Sequence, residues 1–202
     1  MKRIIALIFI FLIYTGVVNF CPAVTAWDES FILRLQYLLR DLPLIIPLLP
    51  DCKLYTLMIV FPLLLGSWGF IRQRNFLSAA VLCSVPLVTF LLNCIIKPLV
   101  HRARPPFEMQ PAIHPHSFSY VSSHSLVTFC LWGIVIYLLQ KYCPNKYLRY
   151  FGIILSVLWI LFVGISRIWL GVHNPSDVVG AYILGGILVT AYVALFKFVE
   201  GR

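Results

Sequence analysis

Apolar residues run through this chain in long blocks. Six stand out: Ile4–Val18, Leu54–Ile71, Phe76–Ile96, Ser122–Leu139, Tyr150–Ile165 and Val178–Phe196. A bilayer is crossed by about 20 apolar residues, with a range of about 17–25. Each block therefore predicts a transmembrane helix, the first and fifth needing flanking residues to complete the crossing. Leu42–Pro50 holds three prolines and is too short to span; it reads as an interfacial or re-entrant stretch, or as the start of the second span. Trp27–Arg40 sets Phe31, Ile32, Leu35, Leu38 and Leu39 near helical spacing, with Arg34 and Arg40 among them, which predicts an interfacial helix. The expected fold is all-α: a polytopic membrane bundle of about six transmembrane helices, with an interfacial helix after the first, as one domain over residues 1–202.

Composition agrees. Of 202 residues, 61% are hydrophobic and 11% charged, where soluble domains run at about 45–50% and about 25%. Such a chain is neither disordered, nor a disulfide mini-protein, nor an ordinary soluble globule. The formal charge of +9 is scattered between apolar runs, which excludes a nucleic-acid face. The six cysteines form no CxxC pair; Cys21 and Cys52 leave one disulfide open. Lys2, Arg3, an apolar stretch and Val24-Thr25-Ala26 have the form of a cleavable signal. A retained span is the preferred reading because the rest is polytopic, and cleavage moves no later loop across the membrane.

Orientation follows from lysine and arginine. With the N-terminus inside, nine lie in inner segments and seven in outer ones. Setting aside Lys97, Arg104 and Arg167, for which a chemical role is argued below, leaves nine against four. Under this topology the Lys97–Val121 and Ser166–Asp177 loops are both odd-to-even connections and share the outer face. All five histidines (His101, His114, His116, His124 and His173) fall in these loops or at their edges. Histidine is the side chain suited to proton transfer near neutral pH, so this face is the candidate site.

The residue types there suit a phosphate ester. Lys97, Arg104 and Arg167 can clamp the charge on the equatorial oxygens of a transferring phosphoryl group. A histidine can attack phosphorus, and a carboxylate can orient it. His173 and Asp177 stand at i, i+4, neighbours if that segment is helical; Asp177 is equally placed to cap the last span. His124, at the start of the fourth span, can donate a proton to the leaving oxygen. The Ser122 hydroxyl and amides at that helix start can complete an anion site. Arg102 reads as a headgroup contact, and His101, His114 and His116 as solvated loop residues or minor substrate contacts. Three clustered cations oppose a divalent metal.

Lys97, six residues and Arg104-Pro105 resemble the first motif of the type 2 phosphatidic acid phosphatase superfamily. Ser122-Ser123-His124 resembles its second motif, usually Pro-Ser-Gly-His, with Val121 in place of proline and Ser123 in place of glycine. Ser166-Arg167, five residues, His173, three residues and Asp177 match its third. The resemblance implies a small membrane lipid phosphatase with its motifs in residues 97–177. Lys97, Arg104, Ser122, Ser123 and Arg167 would bind phosphate, His173 would be the nucleophile, Asp177 its orienter and His124 the acid. It implies no metal and no other cofactor, a lipid phosphate or diphosphate substrate, and a plasma or inner membrane location with the site facing outside. Undecaprenyl diphosphate stands slightly ahead among substrates, with phosphatidylglycerophosphate, phosphatidate and lipid A phosphates open. A phosphotransferase on the same scaffold is the alternative. A transporter is disfavoured, because the polar residues gather on one face. Oligomeric state stays open.

Overall fold

The computed structural model describes residues 2–40, 53–110 and 115–201. Leu42–Pro50, Cys52 with its pairing to Cys21, and His114 lie outside the described residues. Within them the chain forms α1 (Lys2–Phe20), α2 (Pro22–Leu39), α3 (Lys53–Arg72), α4 (Phe76–Val100), α5 (Ser123–Tyr142), α6 (Lys146–Trp169) and α7 (Pro175–Glu200), with a 3-10 turn at Phe107–Met109. Helices α3 to α7 are long and apolar enough to cross a membrane, and α1 with α2 make a sixth candidate bent by 82°.

Local chemistry sets the helix limits. Cys21 is extended (φ −101°, ψ 105°) and Pro22 opens α2, where a missing N–H costs nothing. The Asn75 side chain accepts from the Ser78 N–H at 3.0 Å and so starts α4. Asn145 likewise starts α6 by accepting from the N–H groups of Tyr147 and Leu148. α4 ends at His101, in the left-handed region at φ 55°, whose N–H returns to the Lys97 carbonyl.

The core lies between α4, α5 and α7, where Leu82, Val85, Leu126, Leu131, Ile134, Ala181 and Phe196 are buried. Val18 of α1 and Phe70 of α3 join it. Gly185 lets α7 approach α5: a Cβ there would lie 2.6 Å from the Phe129 ring. Outward faces keep large apolar side chains such as Phe9, Leu64, Phe90 and Leu158 exposed, the surface that lipid tails cover.

α2 differs from its expected apolar stripe. Its inward face is Asp28, Ile32 and Gln36, one residue per turn, while Phe31 and Leu38 are exposed. Ile32 packs with Ile168 and Val178. Gln36 Nε2 donates to the carbonyls of Met109 and Trp169 at 2.9 and 2.8 Å. The stripe is partly polar because α2 lies under loops, whose backbone groups need partners, and not against a purely apolar helix face.

Candidate active site

The connection after α4 and the one between α6 and α7 meet at one end of the bundle, as their parity requires. Arg104 ties them together. Its Nε donates to the Ser117 carbonyl at 2.7 Å, one terminal nitrogen to Ser117 Oγ at 3.0 Å, and the other to the Val172 carbonyl. Gly171 takes φ +63°, and any Cβ on it would collide with the Met109 carbonyl; only glycine fits this turn.

The result is a cavity of about 610 Å³ lined, among others, by Lys97, Arg104, Ser123, His124, Arg167 and His173. A groove of about 290 Å³ adjoins it, lined by Tyr55, Ile59, Pro86 and Val127, and shares Phe90, Asn93, Ser123 and His124 with it. One end of this space is cationic and the other apolar, which suits an amphipathic anion.

His173 is buried. Its Nδ1 lies 3.5 Å from Ser119 Oγ and 3.7 Å from Asp177 Oδ2, which leaves Nε2 as the ring nitrogen for the cavity. Burial pushes its pKa down to about 4, with Arg104 and Lys97 acting in the same sense and Asp177 opposing. The imidazole is therefore neutral at pH 7, the form with a lone pair to attack phosphorus. Asp177 is fully buried. Its Oδ2 accepts from Ser119 Oγ and from the Asn174 N–H at 2.9 Å, and its Oδ1 accepts from Arg102. One carboxylate thus both caps α7 and stands beside His173.

The remaining groups come from separate helices. Lys97, in the last turn of α4, donates to the Phe118 carbonyl at 2.6 Å, using one of its three N–H donors. Arg167, in the last turn of α6, is buried and lines the cavity. Burial pulls the Arg104 guanidinium below the ordinary arginine value. His124, in the first turn of α5, packs against Tyr55 with ring centroids 4.8 Å apart and planes tilted by 43°. The Ser122 hydroxyl pairs with Ser125 Oγ at 2.9 Å, both side chains buried, while Ser123 lines the cavity. His116 is exposed at the cavity, and His101 is exposed and packs against Phe118 with the ring planes tilted by 43°.

Arg102 corrects the sequence reading. It is not a headgroup contact but a 7% exposed guanidinium held by Asp28 Oδ2 at 2.8 Å and by Asp177. Burial alone would lower its pKa; the two carboxylates outweigh that and raise it. Asp28 and Ser119 also escaped the sequence reading. The available signal for Asp28 was an acid among only seven in the chain, set in an apolar-rich segment, where an ionisable group is a functional hypothesis. Among the described residues no group of three or more His, Cys, Asp or Glu is arranged to hold a metal ion.

A sequence model of the PAP2 superfamily matches residues 77–200. A phosphatidylglycerophosphatase B of Bacillus subtilis (strain 168) is 41% identical over 100 residues, 48% of either chain. A lipid A 4'-phosphatase of Bacteroides thetaiotaomicron is 26% identical over 148 residues, 65% of this chain and 62% of that one. The chain thus spans between about half and 62% of the length of these curated relatives. Among solved structures, a transmembrane PAP2-type phosphatidylglycerolphosphate phosphatase from Bacillus subtilis superposes with a TM-score of 0.78 at 25% identity, over 98% of this chain and 97% of that one.

Proposed function

Because the chain belongs to the PAP2 superfamily, we propose that it is an integral membrane lipid phosphatase acting through a phospho-histidine. The observation that carries this reading is one cavity lined by Lys97, Arg104, Arg167, His124 and a neutral His173. The three cations hold the non-bridging phosphate oxygens. Nε2 of His173 forms a bond to phosphorus while the bond from phosphorus to the lipid oxygen breaks, and His124 gives that oxygen its proton. Water then attacks the phospho-histidine, His124 takes the water's proton, and the N–P bond breaks to return His173 and free phosphate. Asp177 holds the Nδ1 side of His173 and stabilises its developing charge. The chain's own residues supply every charge in these steps, so no metal is invoked.

The apolar groove beside the site accepts the lipid chain, and the two relatives' names favour a phosphomonoester headgroup, with phosphatidylglycerophosphate first. An isoprenoid diphosphate such as undecaprenyl diphosphate is the second reading, supported by the outward orientation that the lysine and arginine count favours. The deciding experiment is phosphate release by the purified protein in detergent from phosphatidylglycerophosphate, phosphatidate, a lipid A phosphate and undecaprenyl diphosphate, with His173→Ala run alongside. Turnover without an added alcohol supports a hydrolase; turnover only with an acceptor makes it a phosphotransferase. Full activity of His173→Ala would sink the mechanism.

A further inference from the structure

We infer that Asp28 and Arg102 are positioning residues, an α2 carboxylate fixing a guanidinium that in turn fixes Asp177 beside His173. This rests on the nucleophile and orienter roles proposed above. Asp28 precedes residues 77–200, the part of the chain that matches the family model, yet it reaches into the site. Its Oδ2 accepts from Arg102 at 2.8 Å and from Ser176 Oγ at 2.5 Å, and its Oδ1 accepts from the Ser176 N–H at 3.0 Å. Arg102 in turn donates to Ser176 Oγ at 2.8 Å and to Asp177 Oδ1. Asp28 and Asp177 are fully buried and Arg102 nearly so.

The division of Asp177 between its two oxygens gives this cluster a purpose. Oδ1 is taken by Arg102, so Oδ2 is left toward Ser119, Asn174 and His173. Without the guanidinium Oδ1 loses its partner, and only the Ser119 and Asn174 bonds to Oδ2 are left to set the angle of the carboxylate beside Nδ1. The guanidinium is aimed by its second fork, on Asp28. Apolar residues of similar volume would join α2 to α7 at lower desolvation cost. Two carboxylates and an arginine buried together are better explained as a device that sets direction, since a planar guanidinium bridging two carboxylates fixes geometry as well as charge.

The test is a set of variants of the full-length protein in detergent, assayed by phosphate release from short-chain phosphatidylglycerophosphate and, in parallel, from undecaprenyl diphosphate. Whichever is turned over serves, and folding is checked by size-exclusion profile. Asp28→Asn and Arg102→Gln are each expected to lower kcat about tenfold or more with KM within about twofold, and Arg102→Lys to recover part of the loss. The double variant Arg102→Gln with Asp177→Asn is expected to be no slower than Asp177→Asn alone, to within about threefold, because both act through one carboxylate. Losses that multiply in the double variant overturn the proposal. So does an Asp28→Asn protein that keeps full kcat, a result that stands even if Arg102→Gln fails to fold. If His173→Ala retains activity, the catalytic reading falls; if it is inactive while Asp28→Asn is normal, only this inference does.

Discussion

Replacing Asp177 by asparagine tests the site most closely, because the change is isosteric and every partner of the carboxylate is known. The carboxylate offers acceptors on both sides: Oδ1 to Arg102, and Oδ2 to Ser119 Oγ and the Asn174 N–H, with His173 Nδ1 at 3.7 Å. An amide has an acceptor on one side only. If its oxygen faces Arg102, its NH2 group meets the Asn174 and Ser119 donors and offers a proton to Nδ1, which drives the imidazole proton onto Nε2 and removes the nucleophilic lone pair. If its oxygen faces Ser119, its NH2 group meets the Arg102 guanidinium. A buried group left unpaired costs about 1–3 kcal/mol, or a factor of about 5 to 150 in rate. A wholly wrong tautomer in a related His–Asp arrangement costs about 10⁴. The expected loss lies between these limits, about 10² to 10⁴ in kcat, with KM changed less than about threefold. Phosphate release at saturating lipid in detergent, set against His173→Ala as the zero, measures it. An Asp177→Asn enzyme that keeps more than about a tenth of kcat would refute the orienting role.

Four further outcomes are expected. His173→Ala should lose turnover while expressing and inserting normally, seen as membrane-fraction yield beside phosphate release. Vanadate should inhibit, as an analogue of the five-coordinate transition state, and EDTA should not; activity removed by chelation and restored by zinc or magnesium would mean the cation clamp is misread. Since burial holds His173 at about pKa 4, protonation disables it only as pH falls through that value. At pH 5.5 it should be about 3% protonated, where an ordinary histidine would be about 90%; a kcat profile whose histidine limb lies near 6.5 contradicts the buried geometry. For sidedness, a cysteine at the exposed Ala103, in a cysteine-free background, should react with an impermeant thiol reagent from outside. One at the exposed Asn145 should react only after permeabilisation.

The membrane spans were legible in the apolar blocks of the chain. Lipid requires about 20 apolar residues to satisfy every backbone group internally, so Phe76–Ile96 or Val178–Phe196 could be little else, and they lie within α4 and α7. Parity then placed two polar loops on one face, and local spacing singled out Lys97, Arg104, His124, Arg167 and His173, which the fold brings to one cavity. Which polar groups are buried, and against what, comes from the packing of distant segments. Arg102 and Arg104 are two loop cations separated by one residue, and nothing local distinguishes them; one lies between two carboxylates and the other lines the cavity. The partner that settles the difference, Asp28, is 74 residues from Arg102 and 148 from Ser176. The inward stripe Asp28, Ile32, Gln36 has no apolar period to announce it, and the Ser122 hydroxyl turns to Ser125 because the start of α5 is packed. Burying a charge is favourable only where a partner of opposite sign awaits it, and such partners come from distant segments that only the fold brings together.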